Sequence, residues 1–339
     1  MKCLAYSKSP VSKMKKFLVT SGTETKGNTS IPDVLLTHSQ EEADTLLILH
    51  ALTVDKDAEL VVDSPDTDVG LLILLIEMCH RLPAAMYFLT GRRNLRRNIA
   101  VQAICEKLGE KRTDTAMIGF HAFTGSDMSG RFPGKSKDWC FKVFLKCDSN
   151  ILDALGALGQ ESDPFPEVCA QLERFVCLIY KSEVHTKVKG LRWFLFSNRA
   201  AEGKSLPPTT GSLELHIRRA DYIAMIWRRA TESHPSLPSP AAYGWELLAE
   251  EGIYTPIRCV HPPAPEAVIN LVKCGCKKGC TGLCSCSKNN ILCTEVCGCL
   301  GYSCNNRHNP VEHLVAEEDE DDDYHMSVWD KPLPDNIAV

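Results

Sequence analysis

Nine of the seventeen cysteines lie in one short stretch, Cys274, Cys276, Cys280, Cys284, Cys286, Cys293, Cys297, Cys299 and Cys304, spaced C-x-C-x3-C-x3-C-x-C-x6-C-x3-C-x-C-x4-C. Structural zinc takes four sulfur or nitrogen ligands at tetrahedral corners, and C-x-C and C-x3-C steps offer several thiolates from one tight loop. Two separate sites would consume eight sulfurs and strand one. Three zinc ions need twelve bonds, which nine cysteines supply when three of them bridge two metals each and six bind one. The spacing therefore predicts a trinuclear zinc-thiolate cluster. Its formal negative charge is offset by the neighbouring Lys273, Lys277, Lys278 and Lys288. Large apolar residues are scarce in this stretch, so metal is expected to replace a core there.

The same cysteines could be read as a disulfide scaffold. That requires an oxidising compartment, and the first twenty residues contain no continuous apolar stretch of the secretory-signal kind. An odd number would also leave one cysteine unpaired. Cys79, Cys105 and Cys177 sit in apolar surroundings and read as reduced core residues.

A second set of residues could do metal chemistry of another kind. Glu41, Glu42 and Asp44 open one helix, Asp66 and Asp68 follow a strand, and Asp127 lies within FTGSDMSG. Carboxylates converging at strand ends can hold hard, oxygen-loving ions such as Mg or Mn, which clamp a phosphodiester and activate water. Taken one at a time, each also has a structural reading. Ser39 with Glu42 fits a capping box, Ser64 and Pro65 with Asp66 and Asp68 fit a helix start, and Asp127 between two glycines fits a turn.

The elements that must carry these groups alternate. Residues 1–38 are polar, with one β-like piece at Phe17–Thr20, and look incomplete as a domain. Residues 39–147 read as an α/β domain with parallel strands: helix 41–52, strand 59–63, helix 66–79, strand 86–89 and helix 98–108. Residues 148–231 read as a helical extension ending in an amphipathic stretch from His216 to Ala230. There Ile223, Ile226 and Trp227 would face the core, while Arg218 and Arg229 share another face. Prolines at 235, 238, 240, 256, 262, 263 and 265 suggest an extended linker over 232–272, before a cysteine module at 273–308. The net charge is −5, but seven acids fall in the run Glu317–Asp323, so 309–339 reads as an acidic, disordered tail. No apolar run approaches the roughly 20 residues of a membrane span, and Leu71–Ile76 fits a buried element.

The segments EEAD, SPDTDV and TGSD resemble the acidic motifs of the PIN-like and flap-endonuclease superfamily. The resemblance covers about 110 residues. It implies a PIN-like parallel-sheet fold and roles for Glu42, Asp44, Asp66, Asp68 and Asp127 as ligands of catalytic metal. The nine-cysteine unit resembles the tesmin-like CXC domain, which implies DNA association. Leu283 stands where two-repeat members carry a minor-groove tyrosine, and the five basic residues and one acid from Lys273 to Arg307 predict weak, salt-sensitive binding. The order of the parts is similar to mobile-element-derived animal proteins with a single CXC domain. The resemblance implies a nuclear, zinc-binding, DNA-associated protein with a nuclease-derived domain. An active Mg-dependent structure-specific nuclease and a non-enzymatic module for protein partners are the alternatives, with the cytoplasm as the other location.

Overall fold

The computed structural model describes residues 4–6, 18–21, 23–28, 30–64, 69–91, 96–126, 128–160, 166–197, 205–260, 274–277, 280, 284–288, 292–293, 297–299 and 304–306. The chain divides into two compact units that meet in sequence at Cys259 and Val260.

The first unit is mixed α/β. It begins with β1 (Leu4–Tyr6), the hairpin β2 (Leu18–Ser21) and β3 (Glu24–Gly27), and a single turn, α1 (Asp33–Leu36). Then come α2 (Ala43–Ala51), β4 (Glu59–Ser64), α3 (Val69–Glu77), β5 (Ala85–Thr90), β6 (Arg97–Ala100) and α4 (Val101–Leu108). The sheet order is β1-β4-β5-β6. Strands β4 and β5 pair in parallel, from Glu59 opposite Ala85 to Ser64 opposite Thr90. Both flanking strands run antiparallel, so the sheet is mixed rather than all parallel.

The α3 crossover explains the apolar run noted in the sequence: Leu71 to Ile76 are all 0–1% exposed. A helix apolar all round is one covered all round. No helix among the described residues is long and apolar enough to cross a membrane.

The helix expected at 98–108 is corrected at its start. Arg97–Ala100 pair antiparallel with Thr90–Tyr87, and the helix begins at Val101. The ladder gives the second edge of β5 its hydrogen bonds, and that tertiary gain overrides local helical periodicity.

Helices come next. After a π-helical turn at Lys111–Ala116 come α5 (Met117–Thr124), α6 (Lys137–Phe144), α7 (Ser149–Ala157), α8 (Pro166–Ile179), α9 (Val188–Ser197) and α10 (Thr210–Arg228). Every residue of α5 is buried, which makes it the central helix. Phe120 stacks near Phe144 with centroids 4.6 Å apart, and Phe123 meets the Phe132 ring edge-on at 5.3 Å. Gly119 lets α7 approach, since a Cβ there would fall 1.9 Å from the Leu155 carbonyl oxygen. Residues 39–147 and 148–231 thus share one compact unit and one core.

The proline-rich stretch is folded where it is described. A 3-10 turn at Pro240–Tyr243 leads into the hairpin β7 (Trp245–Leu248) and β8 (Ile253–Pro256). Helix α10 holds it: Arg219 Nη1 donates to the carbonyls of Gly244 and Ile257, both at 3.3 Å, and the Tyr222 hydroxyl donates to Pro238 at 3.2 Å. Prolines at strand ends and turns leave such a hairpin intact, which the composition alone concealed.

The second unit spans Val260–Tyr324, and its one described helical turn is α11 (Ser285–Lys288).

Candidate metal centre

The described core of the second unit is built from sulfur. Cys274, Cys280, Cys284, Cys286, Cys293, Cys297, Cys299 and Cys304 are 1–8% exposed and cluster together, with Cys276 half-buried against them. Two C-G-C turns are brought face to face. Gly298 N donates to the Cys274 carbonyl at 2.7 Å. A Cβ on Gly298 would lie 3.0 Å from the Gly275 carbonyl carbon and 3.1 Å from the Cys276 carbonyl oxygen, so a larger residue would push the two turns apart by a few tenths of an ångström.

The sulfurs are spaced as metal ligands rather than as cystines. Cys274 Sγ is 3.5 Å from Cys280 Sγ and 3.8 Å from both Cys293 Sγ and Cys299 Sγ. Cys280 and Cys293 are 3.5 Å apart, and Cys286 and Cys297 are 3.6 Å apart. A disulfide closes to about 2.05 Å. Zn–S bonds of about 2.3 Å give tetrahedral S···S edges of about 3.8 Å. The cysteines are free thiols at zinc-ligand spacing, and the cluster can hold metal.

Three fourfold sets have ligand atoms within 4.8 Å of one another: Cys274 with Cys280, Cys293 and Cys299; Cys274 with Cys286, Cys293 and Cys297; and Cys274 with Cys276, Cys280 and Cys284. Cys274, Cys280 and Cys293 recur between sets and form a mutual triangle. Cys304 lies within hydrogen-bonding reach of Cys280 and Cys293.

Backbone and side-chain donors surround the sulfurs. Ser287 N donates to Cys284 Sγ and Asn306 Nδ2 donates to Cys293 Sγ, each at 3.4 Å. The Cys276 backbone amide, aided by neighbouring thiols and opposed by burial, draws the Cys274 thiol down to about 6. Burial above all pushes Cys280 far up, and pushes Cys286 up to about 12. Protons are thus unevenly shared across the array, and a divalent metal would displace those remaining.

The acidic residues are placed only in part. Asp66, Asp68 and Asp127 lie outside the described residues. Glu42 and Asp44 stand at the start of α2. The capping box expected from Ser39 and Glu42 does not form: Glu42 is itself the N-cap, makes no side-chain cap bond, and its Oε2 accepts from Trp227 Nε1 at 3.2 Å. The Ser39 amide instead donates to the Ser233 carbonyl at 2.9 Å. Arg96 pairs with Asp63 at the end of β4.

A role missed in sequence belongs to Lys137. Its Nζ donates to the carbonyls of His121 at 2.9 Å and Gly125 at 2.6 Å, capping α5 beside the TGSD segment. Burial holds its amine well below the usual lysine range. The lysine precedes Trp139, Cys140 and Phe141 in an amphipathic helix, and nothing in that pattern marks it as inward.

No family model, curated protein or solved structure matches this chain.

Proposed function

We propose that the chain is a nuclear, DNA-associated protein stabilised by a three-zinc, nine-cysteine module of the tesmin-like CXC kind, beside an α/β unit of PIN-like, nuclease-derived ancestry. The observation that carries the reading is the triangle of Cys274, Cys280 and Cys293 sulfurs, at 3.5, 3.8 and 3.5 Å. Three sulfurs so placed serve as the three bridges that the count of nine calls for.

Two terminal ligands then fall to each ion. Cys276 and Cys284 complete the ion between Cys274 and Cys280, and Cys286 and Cys297 complete the ion between Cys274 and Cys293, following two of the fourfold sets. Cys299 and Cys304 complete the ion between Cys280 and Cys293. Zinc supplies the cross-links of a fold whose described core is made of cysteine sulfur. The surrounding lysines give the module a weakly positive face for phosphate, with an affinity that falls steeply with salt.

The test has two readouts. Elemental analysis of protein purified under reducing conditions should give three zinc ions per chain, and a gel shift at low salt should retard duplex or flap DNA. Absence of zinc, or cystines throughout the module, removes the reading. DNA that never shifts removes the DNA role while leaving the metal. Incubation of flap DNA with Mg2+ or Mn2+ checks the ancestry separately: cleavage that disappears in Asp66→Asn and Asp127→Asn would make the protein an enzyme.

A further inference from the structure

Among the described residues, α9 carries three exposed large aromatic side chains. Trp193 is 62% exposed, Phe194 49% and Phe196 44%. At 100° per residue, Lys189, Trp193 and Phe196 fall on one outward stripe. The opposite stripe is Val188 and Leu191, 0% and 1% exposed.

The helix is firmly seated. Val188 N donates to Glu173 Oε1 at 2.9 Å, Lys187 pairs with Glu173 Oε2 at 2.9 Å, and the Arg192 guanidinium donates to the Pro207 carbonyl. The His185 ring lies 5.2 Å from that of Phe194. The outward rings are therefore presented by a fixed scaffold.

The charge around them is mainly positive, although Lys187 is spent on Glu173. Lys181 to Phe196 carries four lysines and arginines against one acid, Glu183, in a chain whose net charge is −5. Exposed aromatic rings beside cations suit a polyanion that also offers flat, unpaired π-faces. Duplex DNA hides those faces. A membrane-surface helix would need a broad apolar face outward, whereas the purely aliphatic stripe of α9 is turned inward.

We infer that the outward face of α9 is a binding platform for single-stranded nucleic acid, with Trp193 and Phe196 stacking on bases and Lys189 meeting phosphate. This goes beyond the zinc module and does not depend on it, because every residue involved lies in the first unit.

The experiment uses the full chain, zinc-loaded, with a fluorescein-labelled 20-nucleotide oligothymidylate read by anisotropy at low salt. Trp193→Ala should raise Kd by roughly five- to a hundredfold, and Trp193→Phe should keep most of the affinity. Lys189→Ala should flatten the slope of log K against log salt by about 0.7. Thermal unfolding and zinc content of each variant should match the parent, because these side chains face solvent. A double variant, Trp193→Ala with Phe196→Ala, that binds the oligonucleotide as tightly as the parent overturns the inference. So does a double variant whose only loss is binding to phosphatidylserine vesicles or self-association by sedimentation. Failure of the zinc module reading would show differently, as missing metal in the parent itself.

Discussion

Arg228 Nη1 lies 2.5 Å from Glu77 Oε1, joining the last turn of α10 to the end of α3 through a pair in which Glu77 is 3% and Arg228 17% exposed. The other donors of Arg228 are used as well. Nε reaches the Leu158 carbonyl at 2.7 Å, and Nη2 reaches Thr115 and Gly156 at 2.8 and 3.0 Å. Glu77 Oε2 accepts from Ile118 N at 3.1 Å. Burial keeps the Glu77 carboxyl above its ordinary value, with Arg228 pulling the other way.

Breaking that pair from one side leaves a buried charge with its partner gone. Arg228→Ala should lower unfolding free energy by about 3–5 kcal/mol in urea titration, whereas Glu77→Leu with Arg228→Met together should cost less than the two single changes summed. Strict additivity would mean that the ion pair does not couple the two helices.

Acid should loosen the same unit through His216. Its Nε2–H donates to the Phe123 carbonyl at 2.7 Å, and burial above all depresses its pKa to about 4 from 6.5. The neutral ring is the folded form, so the unfolded chain binds the extra proton between those values. Stability from this group is present above pH 6.5 and declines by about 3 kcal/mol as pH falls toward 4. Burial also lowers His121, His38 and His50, so their effect has the same sign. Urea midpoints measured from pH 7 to 4 should fall, and His216→Gln, which keeps a donor, should flatten the curve by about one proton.

Bridging and terminal sulfurs should behave differently on substitution. In the proposed three-zinc cluster, Cys293→Ser removes a ligand shared by two ions and should reduce bound zinc by at least two per chain, read by native mass spectrometry. Cys276→Ser removes one terminal ligand, and at most one ion should leave. Equal losses from both would argue for separate, unbridged sites.

Gly298→Ala tests the packing of the two C-G-C turns. The added methyl must displace the backbone at Gly275 and Cys276, so zinc should transfer to a chelator faster than from the parent. An unchanged rate would mean that the turns separate without consequence for the metal.

The sequence carried the parts whose cause is local. The apolar run of α3 and the two valines of β4 announce themselves within ten or so residues, and the cysteine spacing within about thirty. What it hid depends on distant partners. Ile99 reads as part of a helix until Phe88 is opposite it in the ladder. Pro240 and Pro256 read as linker until Tyr222 and Arg219 supply the surface that organises them. Arg229 drew notice in the pattern of α10, yet its neighbour Arg228 makes the buried ion pair, because one step along a helix turns a side chain by 100°. Of the acidic residues, Asp66, Asp68 and Asp127 lie outside the described residues, and Glu42 accepts from Trp227, a partner 185 residues away that no local pattern could name.

The sulfur-built core seen among the described residues of the second unit has a physiological corollary. A domain whose hydrophobic driving force has been replaced by coordination holds its shape only while the ion is supplied. Each tenfold fall in free zinc would remove about 1.4 kcal/mol per bound ion, so the three ions of the proposed cluster together would forfeit about 4 kcal/mol. The folded population of the module should therefore collapse over a narrow range of zinc activity, leaving the α/β unit standing with an unstructured appendage.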